Sequence, residues 1–287
     1  MLKNIKNYYI PETIEKACAL TAADNARNVV LAGGTHLGVI EDSSIDGLVD
    51  LKKLSLAGIK HSDNKICIGS MTTIQQILKN SQMKCSSGKL LIKCASRVGS
   101  TLLRNSITLG GNCTAVFPWS DFPPAMLVLN AQFVLSNGKS ERIISADDFY
   151  KTRPTDVLKK GEILSEIRIP EGTKGSGISF HKVSKTKNDF SLITVAVTMK
   201  ISSDSTVEDV KIALNAVTKK PSRCTAAEEM LKGKKADEKL FAEAACKAAE
   251  GIDFTSDFRA SREYRQEVLP VYLRRCLTEA AEMAKGG

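Results

Sequence analysis

Two adjacent glycines in the stretch Thr108-Leu109-Gly110-Gly111-Asn112 could bring several backbone N–H groups close to a bulky anion. Glycine has no Cβ to hold a ligand away, and it reaches backbone dihedrals that other residues avoid. Successive N–H groups in such a turn form an anion-binding nest. Asp121 follows in a proline-flanked loop, where its carboxylate could accept hydrogen bonds from hydroxyls such as those of a ribose. A phosphate-binding turn followed by a hydroxyl acceptor indicates a nucleotide cofactor site.

A second glycine pair, Gly33-Gly34, directly follows residues 28–32, whose apolar composition predicts a short buried strand. A strand that ends in two glycines is another place where backbone amides can be offered to a phosphate. Either pair alone is best explained by an ordinary tight turn, but the presence of both favours a ligand site. Arg104 could counter a diphosphate charge or pin its loop to an acidic neighbour, and the sequence favours neither role.

The overall composition is that of an ordinary globular protein with room for two domains. The chain has 287 residues, of which 43% are hydrophobic and 25% are charged. No apolar run approaches the length of about 20 residues that a membrane span needs. The N-terminal residues lack the apolar core of a signal peptide, so we expect no membrane span and a cytoplasmic location.

The cysteines and the net charge argue against two other kinds of site. The eight cysteines include no CxxC pair, so we expect free thiols and neither an iron–sulfur nor a zinc site on this chain. The net charge is +9, but only 5% of the residues are aromatic and there is no long basic block, so we expect no nucleic-acid partner. Dispersed lysines explain the excess charge best; an anionic cofactor or an acidic partner surface is the alternative.

Common catalytic motifs are missing from the sequence. It lacks GxGxxG in a βαβ context and GxxxxGK[ST], which argues against Rossmann and P-loop sites. It also lacks HExxH and GxSxG, so a hydrolase would have neither a metal nor a nucleophile. We therefore predict no catalytic side chain and no metal ligand.

The apolar periodicity predicts an α+β organisation around the glycine motifs. Asn137-Gly138, between two strand-like runs, predicts a β-hairpin with a type I′ turn. The Gly/Ser-rich connector at residues 171–177 marks a boundary between a domain over residues 1–172 and a second over residues 173–287. In the second domain we predict a three-stranded antiparallel sheet followed by helices, the last of which spans residues 261–285.

Taken in order, these motifs resemble the FAD-binding subunit of molybdenum hydroxylases, the xanthine dehydrogenase and carbon monoxide dehydrogenase flavoproteins. The resemblance rests on the two glycine motifs and includes Arg104-Asn105, Pro118 and Asp121. It continues in residues 180–185, at the start of the second domain, and in residues 257–265, before the last helix. The matched stretches therefore cover nearly the whole chain.

The resemblance implies a fold and a set of cofactor-binding residues. The fold would be a PCMH-type two-subdomain FAD-binding domain, followed by a C-terminal domain like that of the carbon monoxide dehydrogenase flavoprotein. Both glycine motifs would hold the FAD diphosphate, Asp121 would meet the adenosine ribose or nearby polar groups, and Lys182 would contact the flavin. A shift of one residue would put His181 in the place of Lys182. The residues implied to bind FAD are Val30, Leu31, Ala32, Gly33, Gly34, Thr35, His36, Leu37, Val98, Thr108, Leu109, Gly110, Gly111, Asn112, Asp121, Leu164 and Lys182.

The resemblance also implies a function that needs other chains. The subunit would carry FAD, take electrons from [2Fe–2S] clusters on a small partner subunit and pass them to NAD+ or another acceptor. Molybdopterin would lie on a large partner subunit, where a substrate such as xanthine is hydroxylated. The alternative is a free-standing flavin oxidoreductase of the same fold that acts on a small molecule. A third reading is a scaffold that has kept the fold without the cofactor.

Overall fold

The structure is a computed structural model that describes residue 2 and residues 5–115, 117–172 and 175–286. The chain forms two compact units, each built from separate segments of the sequence. The first unit comprises Met1–Lys79, Ser100–Ala115 and Ala131–Ile169, and the second comprises Asn80–Gly99, Val116–Asn130 and Pro170–Gly287. Because the units are discontinuous, the linear division after residue 172 stays a prediction.

Helices and strands are mixed along the chain, as an α+β class requires. The described strands are β1 (Asn7–Tyr9), β2 (Asn28–Leu31), β3 (Gly47–Asp50), β4 (Ile59–Ser62), β5 (Lys65–Gly69), β6 (Gln132–Ser136), β7 (Glu141–Ser145), β8 (Ile163–Pro170), β9 (Ser176–Val183), β10 (Ile193–Ile201), β11 (Val207–Asn215) and β12 (Ser222–Arg223). The described helices are α1 (Ile14–Thr21), α2 (Ile74–Lys79), α3 (Ser86–Ser96), α4 (Thr101–Ser106), α5 (Leu109–Thr114), α6 (Phe122–Val128), α7 (Ala146–Phe149), α8 (Pro154–Val157), α9 (Thr225–Leu231), α10 (Glu238–Ala249) and α11 (Arg262–Lys285).

A small parallel sheet in the first unit leads into the first glycine pair. Its order is β1-β3-β2, and β3 pairs in parallel with both neighbours. Helix α1 begins after Thr13, whose hydroxyl accepts a hydrogen bond from the Lys16 N–H at 3.3 Å. Its buried Ala17 shares an apolar cluster with Val49 of β3. Because β2 ends at Leu31, this packing positions the backbone of the glycine pair that follows.

The second sheet of the first unit has the order β4-β5-β8-β6-β7. Alternation along β5 places Ile66 and Ile68 in the core, where neither is accessible to solvent. The chain leaves β5 at Gly69 and reaches α2 at Ile74. The sheet therefore fixes the start of the segment between Gly69 and Ile74, which supports the second glycine pair.

The hairpin predicted at Asn137-Gly138 is confirmed by the antiparallel pairing of β6 with β7, but the predicted type I′ turn is wrong. Such a turn needs a positive φ at both central residues, and of these two only Gly138 has one, at 84°. The Asn137 side chain instead accepts hydrogen bonds from the N–H groups of Lys139 and Ser140, both at 2.9 Å. These bonds favour a longer loop over the two-residue turn.

The second unit is organised on an antiparallel sheet with the order β12-β11-β10-β9. Residues Ile193 to Val197 of β10 are all fully buried. Because successive strand residues point to opposite faces, both faces of the sheet must be covered. Helix α11 packs against β9 and β10, and α6 packs against β10 and β11.

The α+β class and the antiparallel sheet of the C-terminal part are confirmed. Besides the three predicted strands, the sheet includes β12. A strand of two residues is too short to show an alternating pattern in the sequence. The last helix runs from Arg262 to Lys285 and contains Pro270. None of the described helices is both long enough and apolar enough to cross a membrane.

Two buried arginines in the second unit share one carboxylate. Asp257 accepts hydrogen bonds from Arg259 Nη2 at 2.5 Å and from Arg265 Nη2 at 3.0 Å. The same arginines donate to the backbone carbonyls of Ser191 and Leu192. Burial raises the pKa of Asp257, but the hydrogen bonds from Arg259 and Arg265 outweigh burial and lower this pKa to about 2.

We expect Asp257→Asn to lower the free energy of unfolding by about 3 kcal/mol at neutral pH, because two buried guanidinium groups lose their counter-charge. A carboxylate whose pKa is lower in the folded state stabilises the fold at pH values above its unfolded pKa of 3.8. This stabilisation is lost as the pH falls through the folded pKa of about 2. Urea unfolding across this range should therefore show the difference between wild type and variant shrinking below about pH 4.

Asp209→Asn is a matched control, because Asp209 is an exposed carboxylate on β11 of the same unit. It should change the free energy of unfolding by less than about 0.5 kcal/mol throughout. A deficit for Asp257→Asn that stayed constant down to about pH 2 would show that the charge of Asp257 is not what stabilises the unit.

Candidate cofactor site

The predicted cofactor residues fall into two groups, one in each unit. All of them except Val98, Asp121 and Lys182 lie in the first unit. Leu164 lies on β8, and the others lie in or beside the two glycine pairs. The glycine pairs are far apart in sequence, and folding places them in the same compact unit.

Gly33 lies against the backbone that precedes the second glycine pair. A Cβ atom on Gly33 would fall 1.7 Å from the carbonyl oxygen of Ser106, a distance that no side chain can occupy. Gly34 has a φ of 72°, a left-handed conformation that glycine adopts at little cost. The turn therefore requires glycine at the first position because of close packing and at the second because of backbone conformation.

The N–H groups of the first glycine turn are available to a ligand. In the described part of the chain, the N–H groups of Gly33, Gly34 and Thr35 have no hydrogen-bond acceptor. The turn is closed farther on, where the Gly38 N–H donates to the Gly34 carbonyl at 2.9 Å. Successive donors beside a left-handed residue are the arrangement with which backbone binds phosphate.

His36 adds no positive charge to this turn at neutral pH. Burial lowers the pKa of its imidazole below the ordinary value of 6.5, so the ring is neutral. Any attraction of the turn for an anion therefore comes from backbone N–H dipoles.

The second glycine pair is not an open turn. Gly110 and Gly111 lie in the first turn of α5, which Thr108 caps by accepting a hydrogen bond from the Gly111 N–H at 3.1 Å. The Gly110 N–H donates to the Ser70 carbonyl at 2.9 Å, and the Asn112 N–H donates to the Thr108 carbonyl at 3.0 Å. The predicted nest of available N–H groups is therefore wrong here, because the cap and the adjacent segment satisfy these donors. Contact of this pair with a cofactor stays a prediction.

The two glycines of this pair differ in what surrounds them. A Cβ on Gly110 would fall 2.7 Å from the Cβ of Ser70, so Gly110 is required by packing. A Cβ on Gly111 would approach only the hydroxyl of Thr108, at 2.9 Å. Gly111 is also partly exposed, so it leaves open surface that a ligand can approach.

Arg104 bonds to its own unit through neutral partners. Its Nε donates to Gln75 Oε1 and its Nη2 to the Thr101 hydroxyl, both at 2.9 Å. The guanidinium thus ties α4 to α2. These two bonds agree with the second role that the sequence allowed, pinning of the loop, and contact of Arg104 with a diphosphate stays a prediction.

The apolar residues predicted at the site divide by exposure. Leu109 and Leu164 are buried, and Leu164 pairs with Leu135 across β8 and β6. Val30, Leu31 and Leu37, which flank the first glycine pair, are partly exposed. Only the second group offers apolar side-chain surface next to the available N–H groups.

In the second unit, Asp121 and Lys182 form a buried ion pair. Lys182 Nζ donates to Asp121 Oδ2 at 2.8 Å and to the Arg97 carbonyl at 3.0 Å. Burial raises the pKa of Asp121 to about 6, although the charges of Lys182 and Arg97 act to lower it. Asp121 Oδ1 is buried and has no hydrogen-bond partner in the described part of the chain. The predicted contacts of Asp121, Lys182 and the buried Val98 with a cofactor stay predictions.

His181 and Lys182 have different hydrogen-bond partners. Its Nε2 lies 2.7 Å from Glu279 Oε1 of α11, whereas Lys182 faces Asp121. Neighbouring residues of a strand point to opposite faces, so the two side chains serve different surroundings.

Two residues that support the first unit's site were not predicted. Ser70 and Ser106 act through their backbone carbonyls, the first bonded to Gly110 and the second packed on Gly33. A carbonyl is common to all residues, so such a role leaves no signal in residue type.

Residues 3–172 match the family model of the FAD binding domain in molybdopterin dehydrogenase, and residues 178–280 match that of the CO dehydrogenase flavoprotein C-terminal domain. The chain belongs to this flavoprotein family. The glyceraldehyde dehydrogenase medium chain of Sulfolobus acidocaldarius is 32% identical over 96% of this chain and 98% of its own length. The carbon monoxide dehydrogenase medium chain of Afipia carboxidovorans is 29% identical over 99% of this chain and 100% of its own length.

A solved structure agrees with this assignment. Carbon monoxide dehydrogenase from Hydrogenophaga pseudoflava matches with a TM-score of 0.92 and 26% identity, over 99% of both chains. The expected FAD-binding domain and flavoprotein C-terminal domain are therefore confirmed for this family member.

The first glycine turn fits an FAD diphosphate. It offers the N–H groups of Gly33, Gly34 and Thr35 without an internal acceptor. It also carries no Cβ at the two glycines and no acidic side chain that would repel phosphate. These are the requirements for close approach of backbone to a pyrophosphate.

We expect Gly33→Ala to destabilise the flavoprotein and to remove bound flavin. The added Cβ would fall 1.7 Å from the Ser106 carbonyl, so one of the two backbones must move. The expected loss is about 2 kcal/mol of unfolding free energy, with flavin content measured by visible absorbance per chain.

Gly38→Ala is the control in the same turn, because its Cβ would lie 3.3 Å from the Gly34 carbonyl and demand only a small adjustment. Flavin content should stay close to that of the wild type. If the two variants lost flavin equally, the contact of Gly33 with Ser106 would not be what shapes the turn.

Proposed function

We propose that the chain is the FAD-carrying electron-transfer subunit of a heteromeric molybdenum hydroxylase. In this role it takes electrons from [2Fe–2S] clusters on a partner subunit and passes them to NAD+ or another acceptor. The observation that carries the proposal is the set of unsatisfied N–H groups at Gly33, Gly34 and Thr35 in an FAD-binding domain.

The work of these residues is binding and orientation. Each hydrogen bond from a backbone N–H to a diphosphate oxygen contributes about 1.5–3 kcal/mol, because the acceptor is charged. Backbone donors in a packed turn lose little conformational entropy on binding, unlike lysine side chains. FAD, when bound, supplies the redox chemistry, so no side chain of this chain needs to act as an acid or base.

The need for partner subunits follows from what the sequence does and does not contain. No CxxC pair is present, which argues that the iron–sulfur clusters lie on another chain. The two relatives described above are both named medium chains. We propose that a small subunit carries the clusters and a large subunit carries the molybdopterin.

Within that complex we propose a xanthine dehydrogenase-like reaction type, in which hydroxylation takes place on another chain. The relatives are named for substrates as different as glyceraldehyde and carbon monoxide. We propose that the large subunit, and not this chain, selects the substrate.

The flavin-free chain should bind FAD at least about 100-fold more tightly than riboflavin, because riboflavin lacks the phosphates that the N–H groups would hold. Titration followed by flavin fluorescence measures both affinities.

Gly111→Val should weaken FAD binding about tenfold by filling the open surface beside α5. Because its Cβ would fall 2.9 Å from the Thr108 hydroxyl that caps α5, it should also lower the free energy of unfolding by about 1 kcal/mol.

Equal affinities for FAD and riboflavin would contradict the assignment of the diphosphate to the first glycine turn. Full flavin content in Gly111→Val would contradict the assignment of the second glycine pair to the cofactor site.

The native protein should copurify with two other chains, of roughly 17 and 80 kDa from the domains that such partners need. Purification from the source organism, with mass spectrometry and metal analysis of the copurifying chains, checks this composition. If the chain purified alone and turned over a small molecule by itself, the free-standing oxidoreductase would be the correct function.

A further inference from the structure

A cleft with a volume of about 740 Å³ opens in the first unit, at the amino-terminal ends of its parallel strands. Asn7 begins β1 and Asn28 begins β2, and both residues line the cleft together with Asp46, which precedes β3. The first glycine pair follows the opposite end of β2, so the cleft is separate from the proposed diphosphate site. Small-molecule sites in proteins have volumes of about 300–1,000 Å³, and this cleft lies within that range.

One wall of the cleft is a face of α1 that does not point into the core. Four residues at a spacing of three and four line the cleft from one side of this helix and of the turn after it: Lys16, Ala19, Leu20 and Ala23. The opposite side of α1 packs Ala17 and Cys18 into an apolar cluster of the first unit. Ile10 and Pro11, which follow β1, add further apolar surface to the cleft. The body of a ligand in this cleft would therefore contact mainly apolar side chains.

Asn28 lines the cleft with a buried amide whose oxygen has no partner. The side-chain Nδ2 donates to the Leu20 carbonyl at 2.8 Å, which ties β2 to α1 and fixes the orientation of the amide. Asn28 is 9% exposed, and its Oδ1 accepts no hydrogen bond in the described part of the chain. A Cβ on Gly47 would fall 2.3 Å from this oxygen and 3.2 Å from the Tyr9 ring, so the oxygen lies beside an aromatic ring that also lines the cleft. A ligand N–H or O–H would satisfy this acceptor.

The charged side chains of the cleft leave one positive charge without a counter-charge. Lys6 Nζ donates to Asp46 Oδ1 at 2.9 Å, so these two charges offset each other. Lys16 is exposed and has no ion pair among the described residues. Glu12, whose charge attracts Lys16, is paired with Lys53 at 2.7 Å. Lys16 is therefore available to the anionic group of a ligand.

We propose that the cleft binds a small aromatic carboxylate with an N–H or O–H donor on its ring. The ring would pack on the apolar walls and on Tyr9, its donor would bind Asn28 Oδ1, and its carboxylate would meet Lys16. Because Asn28 bonds to Leu20, and Lys16 precedes Leu20 by four residues, the donor and the carboxylate must lie roughly one helical turn apart, about 6 Å. Indole-3-propionate has these groups at such a separation and serves as the probe.

Isothermal titration calorimetry on the full chain, with and without FAD, compares the probe with two derivatives. The 1-methyl derivative has no N–H and should bind about fivefold more weakly, because Asn28 Oδ1 then stays without a donor. Indole-3-propionamide has no charge and should bind about threefold more weakly at low salt. The second difference should shrink at high salt, because salt screens the attraction between Lys16 and the carboxylate.

Two variants test the two parts of the cleft. Lys16→Gln should bind the carboxylate as weakly as the amide and should leave binding of the amide unchanged, because it removes only the charge interaction. Ala19→Phe should abolish measurable binding, because its ring fills space beside the exposed wall of α1. Lys60→Gln is the control: Lys60 is an exposed lysine on β4 of the same unit, outside the cleft, and its loss should change each affinity by less than about twofold.

Weaker binding of both derivatives, with the charge effect lost in Lys16→Gln, supports the proposal. Equal affinity for all three compounds overturns it, and so does the absence of measurable binding at about 5 mM probe. Binding that FAD abolishes would place the probe in the cofactor site and would also overturn the proposal. Failure of the chain to bind FAD would contradict the proposed function and leave this site unaffected.

Discussion

The close contact of Gly33 with the carbonyl of Ser106 is the constraint on which the first unit's site depends. It leaves no space for a Cβ, and it places the first glycine pair against the residue that precedes the second glycine motif. The backbone at Ser106 is itself fixed, because the next carbonyl, that of Ile107, accepts a hydrogen bond from the Ile74 N–H at 2.9 Å. The first glycine turn thus packs on the segment at Ser106, which is in turn hydrogen-bonded to the start of α2. This close packing restricts movement of the turn that carries the available N–H groups.

Two aspartates of the second unit have pKa values that are shifted in opposite directions. Asp121 is buried with a lysine as its hydrogen-bond donor, and its pKa rises to about 6. Asp257 meets two arginines that bring several N–H donors, and its pKa falls to about 2. Asp121 is the more deeply buried of the two, with 6% of its side chain exposed against 27% for Asp257, and Asp257 accepts more charge-assisted hydrogen bonds. Both differences separate the two pKa values in the same direction. The first glycine turn instead offers backbone N–H groups, whose dipoles do not change with pH.

The sequence predicted elements well where the signal is local. The hairpin at Asn137-Gly138 and the three long strands of the C-terminal sheet follow from short-range pattern, and they are confirmed. The type of turn at Asn137 depends on the hydrogen bonds that its side chain accepts from the N–H groups of Lys139 and Ser140. Residue types alone do not show whether these bonds or a two-residue turn will form. β12 was too short for any periodicity.

The sequence does not distinguish the two glycine pairs, although the structure gives them different surroundings. Both glycine pairs look alike as sequence, yet one leaves its N–H groups available and the other sits in a capped helix. The difference comes from Ser70, whose backbone carbonyl accepts a hydrogen bond from the Gly110 N–H. Whether a backbone donor is available to a ligand is settled by what packs beside it, and packing is non-local information.

The interleaving of the two units has a consequence for how the chain can be divided. The sheet of the second unit is covered partly by α3 and α6, and both helices come from segments that precede residue 131. Division of the chain near Gly172 would separate that sheet from these helices, although residues 171–177 have the Gly/Ser-rich composition of a domain connector. The C-terminal fragment would then expose an apolar sheet face to water and would fold poorly by itself. A recombinant chain that keeps the C-terminal sheet packed would therefore also have to include the segments that form α3 and α6.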